Sequence, residues 1–129
     1  MTLDTSALVA VLFSEPGHLD LVDRMLEADT LRIGAPTLVE VSLVFAGRTG
    51  RATSTEIPKL LEELGVTIVP FGEGEWRRAA DAFAHYGRGR HKAALNFGDC
   101  LAYAAAAATG DSLLFVGNDF GLTDITPAL

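Results

Sequence analysis

The stretch Leu31-Arg32-Ile33-Gly34-Ala35-Pro36-Thr37-Leu38-Val39-Glu40-Val41 carries the first clear strand-to-helix passage in the chain. Leu31 to Ile33 reads as a short strand, and Gly34-Ala35-Pro36 as a turn. Proline suits the first turn of a helix, where its missing N–H would have no partner in any case. The helix that starts there continues to Ala46, with Gly47 as its stop. The same alternation recurs outward in both directions. Thr2-Leu3 starts a strand, and Ala7 to Phe13 follows as a helix. Leu19 to Glu27 is helical, with Leu19, Val22 and Leu26 at helical spacing. Downstream, Thr53 to Leu64 is a helix capped by Ser or Thr and ended by Gly65. Val66 to Val69 is a β-branched strand stopped by Pro70. Glu73 to Tyr86 and Phe97 to Thr109 are helices, and Leu113 to Val116 is a last apolar strand. Short apolar strands alternating with helices predict a mostly parallel sheet covered on both faces, an α/β/α sandwich of three layers. In such sheets ligands sit beyond the carboxyl ends of the strands.

The chain of 129 residues is one domain's worth, with no linker or repeat. Hydrophobic residues make up 49% and charged residues 21%, which excludes a disordered chain. Seventeen acids (Asp+Glu 17) against 10 bases give a net charge of -7, which excludes a general electrostatic nucleic-acid binder. It leaves open a nucleic-acid enzyme with a local basic patch or a metal in an acidic site. The single cysteine, Cys100, has no internal partner, so a reducing cytoplasmic setting is expected. The opening run lacks a basic segment before its apolar residues and is interrupted by Asp4, unlike a signal peptide. No uncharged stretch is long enough to span a bilayer.

Three long stretches each contain a single charged residue. From Met1 to Ser14 it is Asp4; from Ile33 to Gly47 it is Glu40; from Ala93 to Gly110 it is Asp99. Asp119 follows the uncharged run Ser112 to Asn118. A carboxylate taken from water without a partner costs several kcal/mol or is forced to protonate. Each of these acids has a simpler role to weigh: Asp4 and Asp99 can serve helix N-termini, Asp119 a turn, and Glu40 can reach solvent. Their positions still converge. Asp4 follows the first strand, Asp119 the last, Asp99 opens the alanine-rich helix, and Glu40 lies one turn into its own helix among Leu38, Val41, Leu43 and Val44, which read as core. A crevice of carboxylates calls for a hard divalent cation, Mg²⁺ or Mn²⁺, with oxygen ligands. His18, His85 and His91 show no zinc spacing. The chemistry that suits such a site is phosphodiester hydrolysis.

Leu3-Asp4-Thr5-Ser6-Ala7-Leu8, Glu40 early in its helix, Asn96-Phe97-Gly98-Asp99-Cys100-Leu101 and Leu113-Leu114-Phe115-Val116-Gly117-Asn118-Asp119-Phe120 together resemble the PIN-domain ribonucleases, and more narrowly the VapC toxins of type II toxin–antitoxin systems. The resemblance covers essentially the whole chain. It implies a Mg²⁺- or Mn²⁺-dependent endoribonuclease acting on structured RNA such as transfer RNA, a homodimer, and neutralisation by a VapB antitoxin. It assigns Asp4, Glu40 and Asp99 to the metal site, and a supporting hydroxyl to Thr5 or Ser6. Many relatives carry the fourth acid slightly earlier, where this chain has Gly117 and Asn118. Asp119 is the nearest carboxylate here, and Asn118 offers a neutral oxygen.

An acidic protein that cuts RNA needs local cations. Arg88, Arg90, His91 and Lys92 cluster just before the Asn96 to Asp99 motif, and Arg48 and Arg51 follow the Glu40 helix. Arg48, Arg88, Arg90 and Lys92 are therefore candidate phosphate contacts. The Arg88 to Lys92 cluster could equally receive acids from an antitoxin tail. Tyr86 and Phe97 are candidates to stack a base. Trp76 and Phe83, on one helical face, read as core or as dimer interface. The rival readings are a metal-dependent phosphatase and a non-catalytic cation-binding module. A phosphatase would want a second acid where Ser6 stands, and a receiver-like module would want a lysine after a late strand, but no lysine follows Lys92.

Overall fold

A computed structural model describes residues 1–52 and 55–129. In chain order the described residues form β1 (Thr2–Leu3), α1 (Thr5–Leu12), α2 (His18–Leu26), β2 (Leu31–Gly34), α3 (Ala35–Thr49), α4 (Glu56–Leu64), β3 (Val66–Val69), α5 (Glu73–Tyr86), α6 (Phe97–Thr109) and β4 (Leu113–Leu114). The strands lie in the order β3-β2-β1-β4, and every pairing is parallel. Register places Thr2 beside Arg32 on one side and Leu113 on the other.

Apolar side chains on the two faces of this sheet feed two separate cores. Leu114 packs with Leu3, Ile33 and residues of α1 to α4, whereas its neighbour Leu113 packs with Leu95, Phe120 and residues of α5 and α6. Successive strand residues point to opposite faces, so one dipeptide serves both cores. This is the three-layer sandwich expected from the alternation of strands and helices. The alanines of α6 explain how closely it lies on the sheet. Ala102, Ala104, Ala105 and Ala106 are all buried, and a methyl added to Gly34 at the end of β2 would stand 3.2 Å from the Ala105 Cβ. At the opposite, amino-terminal end of the strands Asp111 takes hydrogen bonds from Arg32 at 2.8 Å and Thr2 at 2.9 Å. Burial pushes the Asp111 carboxyl up, but these bonds and the nearby N-terminal ammonium outweigh it and hold the group below its ordinary value.

Several local expectations need correction. Helix α3 runs through Gly47 and ends at Gly50, whose φ of 72° is a left-handed stop. Gly47 is merely tolerated on an exposed face, because one glycine costs a helix only about 1 kcal/mol. Leu43 points to solvent rather than into the core. Helix α2 buries Leu21 and Met25, while Leu19 and Leu26 are exposed. Two apolar stripes compete on that short helix, and contact with α1 selects the second. Strand β4 stops at Leu114, because beyond it the chain turns away to approach Ser6. The expected start of α4 at Thr53 lies outside the described residues; the helix runs from Glu56 with Thr55 as its N-cap, and the Thr55 side chain makes no capping hydrogen bond among the described residues. Trp76 and Phe83 are not core residues, being 58% and 42% exposed.

Candidate metal and phosphate site

Beyond the carboxyl ends of the strands, Asp4 is the N-cap of α1 and is only 5% exposed. Its Oδ2 accepts the Ser6 amide at 3.0 Å and also the Ser6 hydroxyl. The same Ser6 oxygen accepts the Val116 amide at 2.9 Å. Ser6 thus ties the first acid to the loop after β4. Gly117, at φ 106°, then turns that loop in a conformation that L side chains rarely adopt. Burial pushes the Asp4 carboxyl up, the Ser6 hydrogen bonds pull it down, and the charge of Glu40 pushes it up again; the result is a raised value.

Glu40 projects from α3 toward two other helices. Its Oε1 accepts the Thr5 hydroxyl from the first turn of α1. Its Oε2 occupies the space beside Gly98 of α6, where an added Cβ would come within 2.1 Å of it. Only glycine at that position lets the carboxylate lie against the start of α6, where the helix dipole favours negative charge.

Asp99 sits in that same first turn. It closes a capping box in which the Asn96 amide donates to Asp99 Oδ2 at 2.9 Å and the Asp99 amide donates to Asn96 Oδ1 at 2.8 Å. Half-buried, its carboxyl is pushed up to about 6, by burial first and then by the charges of Asp119, Asp4 and Glu40, against the lowering Asn96 bond. Asp99 is thus coupled to the charges of Asp119, Asp4 and Glu40, and Asp4 to that of Glu40. Asp119 itself is exposed, as is Asn118.

The donor set is purely oxygen, which matches a hard divalent cation. Cys100 is buried, with its thiol pushed up by burial, and does not enter that set. Among the described residues, however, no three His, Cys, Asp or Glu side chains converge tightly enough to cage an ion unaided. The electrostatic coupling and this open spacing are compatible. Mg²⁺ commonly keeps several waters and takes phosphate oxygens, so an ion there would not need three protein carboxylates in direct contact.

The basic residues divide into two groups. Arg48 is about 12 Å along α3 from Glu40. There it pairs with Glu15 at 2.6 Å and lies over the Phe13 ring at 4.8 Å. Arg51 pairs likewise with Glu56 at 2.9 Å. The structure does not bring these two to the acids. Arg88, Arg90 and Lys92 are exposed in the loop between α5 and α6 that ends at the capping box. Tyr86 is half-buried against Tyr103 and His91. Two contributions escaped sequence reasoning. Gly98 makes room for a carboxylate, for which its place between Phe97 and Asp99 was the available signal. The amide of Val116, a backbone group on Ser6, had none.

Comparison with known proteins agrees along the whole chain. The PIN domain family matches residues 1–125. Ribonuclease VapC36 of Mycobacterium tuberculosis is 41% identical over 126 residues, covering 97% of this chain and 91% of that protein. Ribonuclease VapC28 of the same organism is 38% identical over 130 residues, covering 100% and 98%. Among solved structures, M. tuberculosis VapC20, described as a Sarcin-Ricin loop cleaving toxin, superposes with a TM-score of 0.77 at 14% identity over 97% of this chain and 95% of that one. A toxin–antitoxin complex from Klebsiella pneumoniae gives 0.71 at 16% identity over 99% and 97%. At such identities the structural likeness speaks for the fold, and the closer sequence relatives speak for the kind of protein. The chain belongs to the PIN-domain family, among its VapC ribonucleases.

Proposed function

We propose that this protein is a divalent-metal-dependent endoribonuclease toxin, restrained by a VapB-type antitoxin and assembled as a homodimer in the cytoplasm. The observation that carries the reading is the place of Glu40, which accepts the Thr5 hydroxyl next to Asp4 and lies against Gly98 next to Asp99, so that acids from three separate segments stand together. Like charges are gathered there at a cost to the folded protein, which a cation would remove. Asp4, Glu40 and Asp99 would hold Mg²⁺ or Mn²⁺, with Asp119 or Asn118 completing the oxygen set. The ion supplies Lewis acidity toward a phosphate oxygen and toward water.

The chain's own residues do the positioning. Ser6 holds Asp4 in one rotamer and fixes the loop that bears Asn118 and Asp119. Thr5 orients Glu40. Arg88, Arg90 and Lys92 would contact RNA phosphates on the side of the crevice nearest α6. Among the described residues no helix is long and apolar enough to cross a membrane. Asp4→Asn and Asp99→Asn should abolish cleavage of RNA, structured substrates such as transfer RNA included, while leaving the circular dichroism spectrum unchanged. EDTA should stop the parent, and added Mg²⁺ or Mn²⁺ should restore it. Undiminished cleavage by both variants, or cleavage indifferent to chelation, rejects the proposal.

A further inference from the structure

Helices α5 and α6 enclose an apolar trough of about 320 Å³, walled by Phe71, Trp76, Phe83, Phe97, Cys100 and Leu101. Three of its four aromatic members are open to solvent: Phe97 is 80% exposed, Trp76 58% and Phe83 42%. Phe97 opens α6 immediately before Gly98, against which the Glu40 carboxylate lies, so the trough adjoins the acids across the start of that helix while Asp99 leaves it on another face. Exposed aromatics on an otherwise acidic chain need an explanation.

The distribution of charge supplies one. Arg32, Arg48, Arg51, Lys59 and Arg77 each pair with a carboxylate, and Arg24 donates to the Ala128 carbonyl. Among the described residues, the cations without such a partner are Arg78, which lines a separate groove with Asp81 and Asp124, and Arg88, Arg90 and Lys92 in the loop after α5. Arg90 lies over the Phe83 ring at 5.5 Å, and Arg77 over the Trp76 ring at 5.2 Å. Trp76 and Phe83 thus each carry a guanidinium over one face, and rings beside cations are what unpaired nucleotides use: bases stack on open ring faces while phosphates meet cations.

We propose that the α5–α6 trough is a base-stacking subsite for unpaired RNA nucleotides next to the bond to be cut, with Phe97 as the platform nearest the acids. This rests on the ribonuclease reading of the crevice and adds the conformation of the substrate there: single-stranded, its bases turned out of any helix. A base-paired RNA cannot enter, because its faces are already stacked.

Trp76 is the only tryptophan in the chain and reports directly on the trough. The probe is a short oligoadenylate titrated into the Asp4→Asn protein with Mg²⁺, with an RNA duplex of equal length as the contrast. The single strand should quench Trp76 emission and the duplex should leave it largely unchanged. Phe97→Ala should weaken single-strand binding roughly five- to hundredfold, the range for losing one base–aromatic stack. Phe97→Trp should restore it. Because Phe97 is exposed, the melting temperature should not move. In the cleaving parent, Phe97→Ala should raise KM for single-stranded RNA more than it lowers kcat. Unchanged quenching and affinity in Phe97→Ala overturn the subsite. So does RNA-free self-association that buries Trp76 and that Phe97→Ala abolishes, which would assign the trough to a second copy of the chain. If the parent cleaves no RNA with either metal yet Trp76 is quenched by the single strand, the nuclease reading fails and the subsite stands.

Discussion

Replacing Asp99 by Asn should make the metal-free protein more stable. The Asp99 carboxyl is raised from 3.8 to about 6 by burial and by three neighbouring acids. The full displacement corresponds to roughly 3 kcal/mol of penalty on the ionised form at neutral pH. Asp99 is only half-buried, so solvent screening reduces this to about 1–1.5 kcal/mol. Asn keeps an oxygen for the Asn96 amide, so the capping box survives the change. For a domain of this size the gain corresponds to a melting temperature higher by about 3–6 °C. The sign with pH follows from the direction of the shift. The folded state binds this proton more tightly than the unfolded one, so the parent loses stability as pH rises from about 4 through about 6. The advantage of Asp99→Asn should therefore be full at about pH 7.5 and nearly absent at about pH 4. The assay is thermal unfolding of both proteins in EDTA across that range, by circular dichroism. Millimolar Mg²⁺ should then raise the parent's melting temperature more than the variant's, because only the parent keeps the full acidic set. A variant no more stable than the parent in EDTA at about pH 7.5, or an advantage that grows toward acid, refutes the argument that these carboxylates repel one another.

Further perturbations probe other links. Gly98→Ala should leave the fold intact, since the atoms met are the end of a flexible side chain, but should displace Glu40 and reduce RNA cleavage at least about tenfold, read as initial rate against Mg²⁺ concentration. Ser6→Ala removes the oxygen shared by Asp4 and the Val116 amide; cleavage should fall, and hydrogen exchange at Val116 should accelerate. Thr37 is buried, and among the described residues its hydroxyl has no hydrogen-bond partner, so Thr37→Val should stabilise the protein by about 1 kcal/mol in urea unfolding, relieving an unmet hydrogen bond. Arg48→Ala should cost at most about 1 kcal/mol, as its pair with Glu15 is exposed, and should leave RNA affinity unchanged if its contacts with Phe13 and Glu15 are its whole role.

Local chemistry made the layered fold legible before any coordinates. Pro36 at a helix start, glycines at helix ends and short β-branched runs are short-range signals, and the elements they imply occur at nearly their expected places. The isolated acids were legible for a related reason: a single charge in a long apolar stretch conflicts with burial wherever the chain goes. Which face a helix buries was not legible, because Leu19, Leu21, Met25 and Leu26 offer two stripes on one short helix, and only the neighbouring helix selects between them. The exposure of Phe97, Trp76 and Phe83 was hidden for the same reason, since apolar side chains at helical spacing look alike whether or not another element covers them.

Residue identity alone singled out Asp4, Glu40 and Asp99 as lone charges in long apolar stretches, in conflict with burial. Tertiary structure alone decided that Glu40 lies between the helix starts that bear Asp4 and Asp99, that a missing side chain at Gly98 admits it there, and that Arg48 is held at the far end of α3. Burial cost is a property of the group and its immediate sequence, whereas Coulomb coupling depends on distances that only the packed sheet and helices set.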